Sequence, residues 1–293
     1  MNLIMNNINF DKCLHDLNTE GITIIDNAIP NILLSDLQIK FNRVINLKPS
    51  MGKSIGSTEE DELIWIDHPL ALDRNIVKIA ASEAISKIVS AYLNIEIQLG
   101  YTFAYRTKVM DNMTPEIQSL IKSPGVFKGW HSDANLSSSN RGYRCVVAMI
   151  YLTDVDKGDG GLWVIKGSHV YGGSQREWNE NQFDISQIKE VTAKAGSLII
   201  FDMEMIHRAG TPSNRVPRDI IRFMYTPIGS YCEDYLLPAS FIDENFTNEQ
   251  KKILKFSTTN ITPISLSEVR VLRILKKNKF STFIKKQLLK LLV

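Results

Sequence analysis

The chain of 293 residues predicts a mainly β fold with helices packed against its outside, and two features of its pattern predict it. Before residue 95, apolar residues recur mostly at helical spacing. From residue 95 onward they fall in short runs separated by Gly, Asp and Asn turns. Many short strands broken by such turns belong to a sandwich or barrel rather than to a βαβ fold. No internal repeat or low-complexity linker interrupts the chain, so one main domain is expected. Residues 1–94 would supply helices and a strand packed on the barrel, 95–230 the barrel itself, and 231–293 a C-terminal extension.

Residues 8–20 read as a short helix, and Gly21 to Asp26 as a strand closed by the turn Asn27 to Pro30. Asn31 to Asn46 carries Leu34, Leu37, Phe41, Val44 and Ile45 at helical spacing, with Asp36, Lys40 and Arg43 on the other side. Lys48 to Glu60 reads as loop. Within it Gly52-Lys53-Ser54 is not a phosphate loop, because Leu47 stands where the first glycine is required. Asn75 to Leu93 reads as one amphipathic helix. Strands follow at Ile95–Arg106, Arg144–Thr153, Leu162–Ile165, Gln187–Val191, Ser197–Phe201, His207–Ala209 and Asp219–Pro227. Val109 to Gly129 is a long loop between the first two.

Composition narrows the function classes. A hydrophobic share of 44% and a charged share of 23% are those of an ordinary soluble globular protein. The longest apolar run, Cys145 to Leu152, is too short to cross a bilayer as a helix. Met1 to Asn7 has neither a basic nor a long apolar region, so no secretory signal is expected. Cys13, Cys145 and Cys232 are widely spaced and without CxxC pairs, which fits a reduced, cytoplasmic protein.

The net charge of +2 hides an asymmetry. From Arg270 onward there are eight Lys or Arg and no Asp or Glu, which leaves 26 basic against 32 acidic residues before that point. A nucleic-acid binder would spread its basic face over the fold, so no nucleic-acid partner is expected. In the tail, Phe280, Phe283, Ile284, Leu288, Leu291 and Leu292 form one helical stripe, with Lys279, Lys285, Lys286 and Lys290 largely opposite. Such a helix suits an anionic membrane surface. It equally suits docking against the barrel or self-association with a second copy.

The chemistry centres on His131-Ser132-Asp133. In an extended segment residues two apart point the same way, so imidazole and carboxylate project together. They make two-thirds of the 2-His-1-carboxylate triad that binds Fe(II) and leaves coordination positions open. His207 is the candidate third ligand. Arg218, at the head of the last strand, is the candidate anion anchor, since a buried guanidinium is costly unless it meets an anion and its fork suits a carboxylate. Arg222 shares its strand face and is the second candidate. Taken singly, each of these has an ordinary structural reading. His15 and His68 have no partner pattern.

Together these residues resemble the phytanoyl-CoA dioxygenase family of Fe(II)/2-oxoglutarate oxygenases. The likeness runs from about residue 8 to 228. It includes Trp130 to Asp133 as W-H-x-D, Asp159-Gly160-Gly161-Leu162-Trp163-Val164-Ile165-Lys166-Gly167-Ser168-His169, the run Ala195 to Phe201, and His207 to Arg218 as H-x(10)-R. Lys166, Asp159 and Ser197 depart from the usual Pro, Asn and Asp, and none is a ligand position. His169 is expected to support a turn.

The resemblance implies a double-stranded β-helix, the jelly-roll or cupin-like fold. It implies Fe(II) on His131, Asp133 and His207, 2-oxoglutarate chelating the metal with its distal carboxylate on Arg218, and O2 as the oxidant. The expected activity is a dioxygenase that hydroxylates a small or medium organic metabolite, as in biosynthesis, with succinate and CO2 as co-products. Related halogenating enzymes have a small residue at the carboxylate position, so Asp133 favours hydroxylation. A desaturase or epimerase variant, or a non-catalytic metal-containing jelly-roll binding protein, stands as the alternative. Val109 to Lys128 is long enough for a lid, and Tyr101, Tyr105, Trp130 and Met149 are candidate pocket liners.

Overall fold

The structure is a computed structural model that describes residues 8–51, 63–66, 68–107, 130–133, 144–171, 183–210, 217–230, 235, 237–242 and 245–255. The candidate lid 109–128, the Gly52–Ser54 stretch, Cys232 and the basic tail lie outside them. Chain order gives α1 (Phe10–Glu20), β1 (Ile22–Ile25), α2 (Asn31–Met51), β2 (Leu63–Ile66), α3 (Arg74–Ala80), α4 (Glu83–Leu93) and β3 (Ile97–Thr107). Then follow β4 (Val146–Tyr151), β5 (Leu162–Ile165), β6 (Ile188–Val191), β7 (Leu198–Asp202), β8 (His207–Ala209), β9 (Arg218–Pro227) and α5 (Asn248–Ile253).

Local chemistry sets the ends of the helices. The Asn9 side chain accepts the Lys12 N–H at 3.0 Å to start α1. Gly21 ends it at φ +77°, returning its N–H to the Leu17 carbonyl. A Cβ there would also lie 2.5 Å from His169 Nδ1, so the position is closed to larger residues twice over. α2 continues past the predicted end at Asn46 to Met51, with Pro49, which reads as a stop, in its last turn. The single helix expected over Asn75–Leu93 is two. The Asp73 carboxylate caps α3 through the Asn75 N–H at 2.7 Å. Ser82 then takes an extended conformation (φ −62°, ψ 128°) and restarts the chain as α4, as serine does where it starts a helix rather than continuing one.

Among the described residues all strand pairs are antiparallel, in a six-stranded sheet ordered β1-β7-β4-β9-β3-β2 and a three-stranded sheet ordered β6-β5-β8. Both edges of the large sheet come from the N-terminal part of the chain, so that part completes the sheet as well as covering it. β2 lies in a stretch to which the sequence pattern assigns no element above, although Leu63 to Ile66 is a short apolar run. Central β4 is buried along its whole length, which accounts for its unbroken apolar run.

One face of the large sheet packs on the helices, through Leu99, Ala148, Ile200, Ile221 and Phe223 against residues such as Leu17, Phe41, Ile79 and Ile88. The other face, with Tyr101, Tyr105, Val147, Met149, Tyr151, Phe201 and Met224, meets Leu162, Val164 and Val191 of the small sheet. The molecule is therefore a two-sheet jelly roll with helices on one side.

A bulge decides what β3 presents to the interior. Leu99 pairs with Tyr225 and Tyr101 with Met224, so Gly100 is an extra residue on its strand. Leu99 accordingly faces the helices, while Tyr101, Phe103 and Tyr105 face the space between the sheets. A Cβ on Gly100 would come 2.5 Å from the Met224 methyl and 2.8 Å from that of Thr226.

Candidate active site

His131 and His207 face each other across a short antiparallel bridge. Each backbone N–H donates to the other's carbonyl, at 2.9 and 2.8 Å. Residues so paired project their side chains on one face, and the two imidazole centroids lie 4.5 Å apart. Asp133 shares the face by the two-residue repeat, and its N–H donates to the Met203 carbonyl at 2.9 Å. Its Oδ1 lies 3.7 Å from His131 Nε2 and its Oδ2 3.7 Å from His207 Nε2. One ligand atom from each residue falls within 4.8 Å of the others, a set that could hold a metal ion.

The protonation states suit a cation. His207 Nδ1 donates to the Met205 carbonyl at 2.9 Å, which leaves Nε2 as the free nitrogen. Burial, aided by neighbouring His131 and Arg222 against the pull of Asp133, drives the His207 imidazole down to about 4, so it stands neutral. Burial alone would raise the Asp133 carboxyl. His207, Arg222 and His131 together overcome that and hold it at about 2, as the anion. A carboxylate and a buried neutral imidazole beside His131 fit a divalent iron.

The turn that carries His207 is pinned from three sides. Ser168 Oγ accepts the Ile206 N–H at 2.8 Å. The Asp202 carboxylate, fully buried, accepts from the Glu204 N–H at 2.8 Å, the Tyr92 hydroxyl at 2.7 Å and the Arg144 guanidinium. Asp202 also ties the turn to itself, the Met205 N–H donating to its carbonyl at 3.0 Å. Among the described residues His169 is not part of the group that could hold a metal. It lies beside Gly21, where an added Cβ would meet both its ring and the Met205 methyl.

Arg218 is 2% exposed. One terminal nitrogen donates to the Tyr105 hydroxyl and the Thr107 hydroxyl, both at 3.4 Å, and its Nε has no hydrogen-bond partner. Among the described residues no carboxylate reaches it. Arg222 is already committed, donating to Asp133 Oδ2 at 2.7 Å. Of the two arginines read from the sequence, Arg218 is thus the one open to an external anion. Four residues of strand separate them, roughly 13 Å, which puts Arg222 at the metal end of the site and Arg218 at the far end. A five-carbon diacid chelated at the metal and reaching Arg218 fits this layout.

Tyr101, Tyr105 and Met149 face the space between the sheets, packed in its core. Trp130 does not line the pocket. As the neighbour of His131 it points to the opposite face, where it packs with Ile165 and Ile206 and the Arg208 guanidinium sits 4.9 Å over its ring. The roles of Arg222, Asp202, Tyr92 and Arg144 are not legible from spacing. Only the shared strand face of Arg218 and Arg222 hints at one of them.

Jelly-roll enzymes that use iron and 2-oxoglutarate are the class into which this fold and these side chains fall. A sequence profile of the phytanoyl-CoA dioxygenase (PhyH) family matches residues 19–220. The chain belongs to that family and is an Fe(II)/2-oxoglutarate-dependent enzyme. No curated protein is similar enough in sequence to count as a match.

Solved structures share the fold at low identity. The non-haem α-ketoglutarate-dependent carbocyclase SnoK of nogalamycin biosynthesis is 14% identical with a TM-score of 0.56, over 76% of this chain and 86% of its own. The epimerase SnoN, solved with Fe3+, α-ketoglutarate and nogalamycin RO, is 16% identical with a TM-score of 0.56, over 80% and 92%. EvdO2 from Micromonospora carbonacea var. aurantiaca, complexed with 2-oxoglutarate, is 15% identical with a TM-score of 0.55, over 83% and 100%. Among the described residues no helix is long and apolar enough to cross a membrane.

Proposed function

We propose that this enzyme hydroxylates an unactivated C–H bond of a small or medium organic metabolite, consuming 2-oxoglutarate and O2 and releasing succinate and CO2. In this reading His131, Asp133 and His207 hold Fe(II), and Arg218 takes the distal carboxylate of 2-oxoglutarate. The observation that carries it is Arg218, a buried cation with an unpaired Nε on the strand that also faces the three candidate ligands. A buried guanidinium without an anion is costly, and a dicarboxylate cosubstrate removes that cost.

When bound there, iron with 2-oxoglutarate supplies the oxidising power that an unactivated C–H bond requires. The protein's part is placement and exclusion of water. His207 and Asp133 are fixed through the backbone of the Asp202–Met205 turn. The interior face built from Val147, Met149, Ile199 and Phe201 gives the reaction an apolar floor. The buried thiols Cys13 and Cys145 fit a reducing compartment, and we place the protein in the cytoplasm.

A second reading, desaturation or epimerisation by the same cofactors, has support in its epimerase form from a fold neighbour described as an epimerase. The test is a screen for metabolites that stimulate succinate release, followed by mass spectrometry of the product. Gain of one oxygen atom supports hydroxylation. Loss of two hydrogens, or an unchanged mass, overturns it in favour of desaturation or epimerisation.

A further inference from the structure

Arg222 is a charged side chain buried beside the candidate metal ligands. Its guanidinium donates to Asp133 Oδ2 at 2.7 Å and lies 5.8, 5.1 and 5.7 Å from the ring centroids of Tyr101, Phe103 and Phe201. The bulge at Gly100 brings two of those rings to this face, and β9 brings the arginine opposite Phe103 and Met149. Arg222 is thus walled in by aromatic side chains and by β4. Its planar head comes from β9 of the large sheet, while His207 comes from β8 of the small sheet, with His131 paired to it.

We propose that Arg222 is a positioning residue of the metal centre. It occupies Asp133 Oδ2 and so turns the other oxygen, Oδ1, toward the metal position between His131 and His207. The proposal rests on the reading that these three side chains bind the metal. Two effects of Arg222 oppose each other, and their competition makes the idea testable. Charge alone works against a dication, so removing Arg222 would tighten metal binding if it were only a nearby cation. Orientation works the other way. A carboxylate released from its partner rotates and spends part of its time facing away, and outer partners of metal ligands typically contribute about 10- to 100-fold in metal affinity. The short contact to Asp133, in a pocket that leaves the arginine little room to move, makes orientation the larger effect.

The experiment is a Co(II) titration of the metal-free full chain, read from the visible Co(II) spectrum, in wild type, Arg222→Met and Arg222→Lys. Each variant is repeated in an Asp133→Ala background. Arg222→Met is expected to weaken Co(II) binding by about 10- to 100-fold, with Arg222→Lys, which keeps the charge but loses the planar fork, in between. In the Asp133→Ala background the same substitution is expected to leave affinity unchanged or to tighten it, because the positioned group is gone and only the charge of Arg222 remains. Equal or tighter binding by Arg222→Met overturns the proposal, as does an equal loss in both backgrounds. If Arg222→Met does not fold, Arg222→Lys decides, and wild-type affinity in that variant overturns the proposal. Wild type that binds no Co(II) refutes the metal-site reading itself, a separate result.

Discussion

Replacing Asp202 by asparagine is expected to damage both stability and the metal site, although Asp202 is no ligand. Its carboxylate is fully buried, with one oxygen serving the Tyr92 hydroxyl and the Arg144 guanidinium and the other the Glu204 N–H. Burial and the nearby carboxylate keep the Tyr92 phenol protonated far above its ordinary range, so Tyr92 is the donor in that pair. Asparagine retains an oxygen for Glu204 but turns an NH2 group toward two donors. Losing the charge-assisted bond from Tyr92 costs about 1.5–3 kcal/mol. The Arg144 side chain is 44% exposed and reaches water, so its share is at most about 1 kcal/mol.

Together the loss is about 1.5–4 kcal/mol, which lowers the urea midpoint by about 1 M. The same turn offers the Met203 carbonyl to Asp133 and the Met205 carbonyl to His207, so Co(II) affinity should fall about 10-fold with it. Urea unfolding of the metal-free protein and a Co(II) titration measure the two effects. An unchanged midpoint would refute the network's contribution. A lowered midpoint with unchanged metal affinity would refute its coupling to the site.

Two further substitutions separate the remaining roles. Arg218→Met should leave Co(II) binding intact and weaken 2-oxoglutarate binding at least about 10-fold, the loss of a hydrogen-bonded charge; equal 2-oxoglutarate affinity in calorimetry would remove Arg218 from the pocket. His169 gives the pH prediction. Burial lowers its imidazole below the ordinary range, against the pull of Asp202 and the backbone of Asn18 and with the push of Arg144. The folded state then binds fewer protons than the unfolded one below pH about 6.5, so stability falls as pH drops through that value, by at most about 1.4 kcal/mol per unit. His169→Gln should flatten that slope, and identical slopes in both proteins would contradict it.

What the sequence revealed and what it hid follow the range of the forces involved. The period of two that joins His131 to Asp133 is local and sufficient to bring those side chains together. The same period implied that Trp130 faces the other way, a signal present in the residues but outweighed by the apolar character of tryptophan. The break at Ser82 rests on a serine that reads equally well inside a helix, and β2 is too short to announce itself beside the acidic run Glu59 to Glu62. Gly100 marked the bulge only as a glycine within a strand. The bond between Arg222 and Asp133 joins residues far apart in sequence, and the tie from Tyr92 to Asp202 spans farther still. Neither leaves a spacing to read.

A metal on His131, Asp133 and His207 that 2-oxoglutarate chelates can be observed without any substrate. Anaerobic addition of Fe(II) and then 2-oxoglutarate is followed for the weak visible charge-transfer band of the chelate, in wild type and in His131→Ala. A saturable band is expected in wild type and none in the variant. A folded, iron-loaded wild type without the band, or a variant that keeps it, would contradict the assignment.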